Sequence, residues 1–295
     1  MKDAESMSSE TLNASAAGTV ALGDLTVNRM GFGAMRITGK GVWGDPEDRP
    51  ECIRVLRRAV ELGVNFIDTA DSYGPSVSED IIREALYPYP KGLIIATKGG
   101  LTRQGPDIWK PVGRPEYLTQ QVEMSLRRLK LDCIDLYQLH RIDAKVPVEE
   151  SLGALMDLRR QGKIRHIGLS EVNPKQIEQA RKTAPIVSVQ NRYNISDRDH
   201  EETLRYCDQH TLAFIPWYPV GAGRLVRPGG VLDRAAQRHH ASLAQISIAW
   251  LLHRSPMMLP IPGTSKVAHL EENIASSGVK LSAEEWAAIE RDARG

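Results

Sequence analysis

The chain has 295 residues, 41% of them hydrophobic and 25% charged, and 38 basic against 37 acidic side chains leave a net charge of +1. That composition describes a globular protein, and without a basic block or an acidic tail it argues against nucleic acid and anionic membrane as partners. No apolar run approaches the roughly 18 residues that a membrane helix needs.

Residues 1–17 are rich in Ser, Ala, Thr and Glu and lack a signal-peptide core, so they read as a flexible N-terminal tail. Residues 18–295 read as a single domain. Its first element is a small hairpin over 18–28 that turns at Gly23 and Asp24. GFGAM, 31–35, follows as a tight strand with a glycine-bearing exit. Helical period then appears over 51–62 at Ile53, Leu56 and Val60, with Asp48 and Glu51 spaced as a capping box and Gly63 as the C-terminal cap.

From there short apolar strands alternate with amphipathic helices. The strands are VNFID ending at Asp68, then 93–97, 133–140, 165–170, 186–190, 212–217 and 258–262. Helical patterns fall near 78–86, 115–129, 149–161, 174–183, 198–209, 241–253 and 267–275. Alternation of this kind implies parallel pairing, because each helix carries the chain back across the sheet. With the strand at 29–33 there are eight units, which favours an α/β fold of the closed (β/α)8 TIM barrel type. An open doubly wound sheet is the alternative. Against it, no strand is followed by G-x-G-x-x-G: GFGAMR has Arg36, and GAGRLV has Val226, where the third glycine belongs. Cys52, Cys133 and Cys207 are odd in number and far apart, reading as thiols of a reducing, cytoplasmic setting and as neither disulfide nor metal ligands.

In such a barrel the chemistry sits at the carboxyl ends of the strands. The second strand ends in Asp68 with Tyr73 in the loop beyond it, the third ends in Lys98 and the fourth in His140. Singly, each has an ordinary use: a turn cap, a turn aromatic, a snorkelling lysine, a satisfied core histidine. Together they put four titratable groups at one mouth, where buried charge is costly unless paired. A phenol with a reference pKa of about 10 donates a proton poorly. A neighbouring ammonium, itself held by a carboxylate, lowers that value and makes Tyr73 an acid, with His140 able to bond the same substrate oxygen. Carbonyl reduction needs such a donor and a hydride. Ser170 and Gln190 offer groups for a nicotinamide amide, Trp217 offers a stacking face, and GTSK at 263–266 starts a helix that suits a phosphate. Trp217 as a core residue and GTSK as a capped turn is the plainer reading.

NFIDTADSYG, ATKGG, YQLHRID, GLSE and IPGTS, in matching order and spacing from about residue 18 onward, resemble the aldo-keto reductase superfamily. GFGAMR with GKGVWGDP, IIREALYPYP and IPGTSKVAHLEEN most resemble its bacterial pyridoxal-reductase-like members. The resemblance implies a barrel with an N-terminal hairpin and a C-terminal helix, and a catalytic tetrad of Asp68, Tyr73, Lys98 and His140 with Tyr73 as proton donor. It also implies NADPH lying across the mouth. Ser170 and Gln190 would hold the carboxamide and Trp217 would stack on the ring. Gly263, Thr264, Ser265 and Lys266 would meet the 2′-phosphate, with Glu272 and Asn273 at the adenine. Gly33, Ala34 and Met35, with Tyr218, Pro219 and Gly221, complete the expected cofactor set. Two departures stand out: Glu171 where many members have Asn, and His269 where an arginine often stacks on the adenine.

The loop after the fourth strand is short, which predicts an open pocket with Met35, Trp43, Trp109, Tyr218 and Arg224 as walls. A pyridoxal-like aromatic aldehyde or a bulkier ketone fits that description, taken by a monomer or weak homo-oligomer. Two other readings compete. One is an NADP(H)-binding regulatory subunit, as the potassium-channel β-subunits resemble; the other is a Schiff-base lyase using Lys98.

Overall fold

The computed structural model describes residues 12–221 and 228–294. Seven parallel strands make one curved sheet, β3 (Phe32–Gly33), β4 (Phe66–Asp68), β5 (Ile94–Gly99), β8 (Ile134–Leu139), β9 (Ile164–Ser170), β10 (Ile186–Gln190) and β11 (Ala213–Phe214), adjacent in that order. The eighth expected strand is an extended segment without a ladder of its own, yet it closes the barrel. Leu259 N–H donates to Phe214 O at 2.8 Å on one side, and Gly31 N–H donates to Pro260 O at 3.0 Å on the other. Arg29 fastens the same segment by donating to the carbonyls of Leu252, Ser255 and Met258. The two ends meet closely at the mouth, because a Cβ on Gly263 would lie 2.2 Å from Gly33 O.

Alternation along each strand sorts the side chains. Phe66, Ile94, Ala96 and Leu136 join the cluster inside the barrel, whereas Ile67, Ile95, Tyr137 and Leu139 belong to the clusters under the helices. The hairpin β1 (Thr19–Leu22) and β2 (Leu25–Asn28) adds Val20, Leu22 and Val27 to the interior cluster. It plugs the amino end of the barrel and leaves the carboxyl end as the open one. Continuing the alternation sends Asp68, Lys98, Gln138 and His140 inward at that open end.

The helices between strands fall where periodicity puts them, from α1 (Arg49–Glu61) to α9 (Val267–Ala275), and α10 (Ala283–Arg294) ends the chain. Two elements are additional. A hairpin, β6 (Leu101–Gly105) and β7 (Ile108–Pro111), follows β5 at the mouth, and α7 (Val231–His239) precedes α8 (Leu243–Arg254). Residues 12–17, placed by composition in the tail, are held. Ala14 is fully buried in a short 3-10 turn and its N–H donates to Leu62 O at 2.8 Å. At α1 the capping box is half made: Asp48 accepts from Glu51 N–H at 2.9 Å, but the Glu51 carboxylate turns away to Val267 N–H at 3.1 Å.

Candidate active site

A cavity of about 680 Å³ opens at the carboxyl end of the strands, and Asp68, Tyr73 and His140 are among its lining residues. Lys98 is fully buried at its floor. Its ammonium donates to Asp68 Oδ2 at 2.6 Å, to Thr69 O at 2.8 Å and to Tyr73 OH at 3.4 Å. The other Asp68 oxygen accepts from Gln138 Nε2 and Gln190 Nε2, both at 2.8 Å. Tyr73 and His140 lie edge to face with ring centroids 5.8 Å apart, and Ser72 Oγ is 3.4 Å from His140 Nδ1. The four residues picked from strand ends are thus brought together.

The electrostatics follow from burial with one paired charge. Burial opposes the Lys98 ammonium, but Asp68 and Tyr73 together more than offset this and raise its pKa. Burial also raises Tyr73 above its ordinary range, and it outweighs the downward pull of Lys98. The lowered phenol expected from the sequence is therefore corrected: burial keeps Tyr73 protonated. Burial first, then Lys98, Arg141 and Arg103, push His140 well below its usual value, so it is a neutral imidazole. A lysine so firmly paired is the opposite of the free, desolvated amine that a Schiff-base enzyme uses. Just behind, Asp71 is buried and pushed up to about 8, by burial first and then by Glu79.

The unexpected hairpin supplies one wall. Arg103 donates to the carbonyls of Gly41, Val42, Ser72, Gly105 and Ile108, tying β6 and β7 to the loops after β3 and β4. Its guanidinium lies 3.6 Å from the Trp109 ring centroid, and Trp109 in turn meets the Tyr73 ring edge to face at 6.3 Å. Trp109 lines the cavity and Trp43 does not; Trp43 lies 5.6 Å from the same guanidinium, with Val42 beside it as the lining residue. Arg224 lies outside the described residues.

Of the expected cofactor set, Gly33, Met35, Ser170, Gln190, Trp217, Tyr218, Pro219, Gly263 and Asn273 line the cavity. Ala34, Gly221, Thr264, Ser265, Lys266 and Glu272 are not in that lining. Gln190 gives its amide hydrogens to Asp68 and, at 3.4 Å, to Gln138. Glu171 turns from the cavity to accept from Trp217 Nε1 at 2.6 Å and from Arg192 N–H at 2.7 Å. Burial would raise its pKa, but hydrogen bonds from His200, Trp217 and Arg192 prevail and hold it at about 2. Where an asparagine amide would face a ligand, this chain has an anion that fixes the indole. At the start of α9, the helix expected to receive a phosphate, the Val267 N–H is occupied by Glu51. Sequence reasoning passed over Gln138, although it stands two residues before His140 on the same strand face. It also passed over Arg141, which lines the cavity next in the chain.

The closed barrel, its plugged amino end and ionisable groups gathered at the opposite mouth define a barrel enzyme. The chain matches the Aldo/keto reductase family model over residues 29–293 and belongs to that family. It is 54% identical over 286 residues to an uncharacterized oxidoreductase of Schizosaccharomyces pombe, covering 97% of this chain and 93% of that one. It is 44% identical over 272 residues to pyridoxine 4-dehydrogenase of Escherichia coli, covering 90% and 95%. A solved aldo-keto reductase of Klebsiella pneumoniae in complex with NADPH superposes with a TM-score of 0.79 at 27% identity, covering 92% and 94%. Among the described residues no helix is long and apolar enough to cross a membrane.

Proposed function

We propose that the protein reduces the carbonyl of an aromatic or heteroaromatic aldehyde, pyridoxal-like in size, to an alcohol with NADPH, and that Tyr73 gives the proton. The observation that carries this reading is the buried Tyr73 hydroxyl, 3.4 Å from an ammonium anchored on Asp68. The cofactor class is supported by the family and by the NADPH complex of the Klebsiella relative, and the substrate class by the likeness to pyridoxine 4-dehydrogenase.

The lining residues fit a nicotinamide nucleotide. Gly33 and Gly263 put bare backbone at the mouth, and Trp217 presents a face held in one orientation by Glu171. Ser170 offers a hydroxyl and Asn273 an amide in the same cavity. Bound NADPH would supply the hydride. The protein's share is to hold the carbonyl oxygen against Tyr73 and neutral His140. As the oxygen gains charge, the Tyr73 proton passes to it and the phenolate left behind is stabilised by Lys98. Asp68 keeps Lys98 charged in a cavity that would otherwise discharge it, and its hold on Gln138 and Gln190 keeps that carboxylate from turning.

Tyr73→Phe keeps the ring and removes the proton. With pyridoxal, nitrobenzaldehyde and a cyclic ketone as substrates, consumption of NADPH absorbance should slow by about 10²–10⁴-fold. Turnover at the wild-type rate would remove Tyr73 from the reaction.

A further inference from the structure

Arg141 follows His140 directly and lines the same cavity. One of its guanidinium nitrogens, Nη1, donates to His140 O at 2.6 Å and to Ser170 Oγ at 3.1 Å. Both acceptors are neutral. Among the described residues no carboxylate forms an ion pair with this guanidinium, and burial lowers its pKa. Most other buried or half-buried arginines of the chain differ. Arg128 is paired with Glu79, Arg198 with Glu290 and Arg254 with Glu201.

Two carboxylates at or beside the cavity are already committed. Asp68 holds Lys98 and two amides. Glu171 accepts from Trp217 and Arg192 N–H and acts on Arg141 only at a distance. A desolvated positive charge without a partner is costly. An anion delivered with the substrate would offset that charge, and planar guanidinium suits an oxyanion.

We propose that Arg141 is an anion subsite, which gives this pocket a preference for carbonyl substrates that carry a negatively charged oxygen close to the reacting carbonyl. The chemistry recognised is a carboxylate or an ionised ring hydroxyl adjacent to the aldehyde. The inference rests on the reductase reading above and narrows its substrate.

The test compares 2-carboxybenzaldehyde with its methyl ester, two aldehydes that differ in one charge, in the NADPH-loaded wild type, Arg141→Gln and Arg141→Lys. The wild type should favour the acid over the ester in kcat/KM. In Arg141→Gln that ratio should fall by about ten- to a hundredfold, the worth of a hydrogen bond to a charged group. Arg141→Lys should restore part of it. An equal loss for acid and ester, or a loss traced to weaker NADPH binding, would make Arg141 a prop for Ser170 and overturn the proposal. Should Arg141→Gln fail to fold, a wild type that reduces acid and ester equally well overturns it too. Turnover of neither aldehyde, nor of any in the panel above, would instead sink the reductase reading itself.

Discussion

Asp68→Asn is the substitution that tests the electrostatics of the site most directly. It preserves the shape of the side chain and removes the charge that holds Lys98. The pair is almost wholly desolvated, with the Lys98 and Asp68 side chains 0% and 2% exposed. Removing one partner of such a pair leaves the other charge uncompensated and costs about 3–5 kcal/mol. The amide also cannot accept on both sides, as Asp68 does from Lys98 and from Gln138 and Gln190. The pH dependence has a definite sign. In the wild type the Lys98 pKa is raised above its ordinary 10.5, so the stabilisation is complete below that value and is lost as pH rises through the folded one. In the variant the upward pull of Asp68 is gone and burial, the largest influence, is opposed only by Tyr73, so the folded pKa should fall below 10.5. Between the depressed value and 10.5 the unfolded chain binds the proton that the folded one has lost, so stability rises with pH. The slope of the variant relative to the wild type should approach about 1.4 kcal/mol per pH unit. Urea unfolding of both proteins at pH 7, 8, 9 and 10 measures it. Parallel curves separated by less than about 1 kcal/mol, well below the cost of an orphaned buried charge, would show that Asp68 does not hold the charge on Lys98.

The nucleotide phosphate and the second buried acid give two more tests. Lys266→Ala should weaken NADPH about tenfold more than NADH, about 1.4 kcal/mol, and Glu51→Gln, which removes the carboxylate facing Val267 N–H, should shift the preference the other way. Titration of tryptophan fluorescence with both nucleotides reads this, and equal changes for the two would put the phosphate elsewhere. Asp71 keeps its proton in the folded state up to about pH 8, whereas the unfolded chain loses it near pH 4. The folded state therefore binds more protons across that window and stability falls as pH rises through it. Asp71→Asn should flatten the fall in unfolding free energy between pH 5 and 8; a slope as steep as the wild type's would assign it to another group.

Much of the barrel was legible because strand burial and helix periodicity are local signals. VNFID, LIIATK and CIDLYQLH are largely apolar runs that end in a polar residue, and each became a strand with that residue, Asp68, Lys98 or His140, at or next to its carboxyl end. The eighth strand was legible as a segment but not as a segment held by only a few bonds to Phe214 and Gly31. The β6 and β7 hairpin was not legible at all. Thr102, Arg103 and Gln104 carry no apolar alternation, and the hairpin is held by Arg103 donating to carbonyls that lie up to 62 residues away in the chain. Backbone acceptors leave no mark on a sequence, so an arginine that reaches for them looks like any surface arginine. The 3-10 turn at Ala14 was hidden for the same reason, since its anchor is the carbonyl of Leu62.

The site divides along the same line. Which side chains converge follows from the period-two rule applied to strand ends, and Gln138 was within its reach. What they do to one another depends on how dry the cavity is, which spacing does not carry. Lys98 acts on the Tyr73 phenol from 3.4 Å, yet burial outweighs it and the phenol keeps its proton. In the proposed reaction that order of magnitudes suits a donor that must wait. A phenol lowered into the neutral range would have surrendered its proton to solvent before a carbonyl arrived. One kept protonated by burial, beside a cation able to stabilise its anion, releases the proton only when an oxygen gaining charge is there to take it.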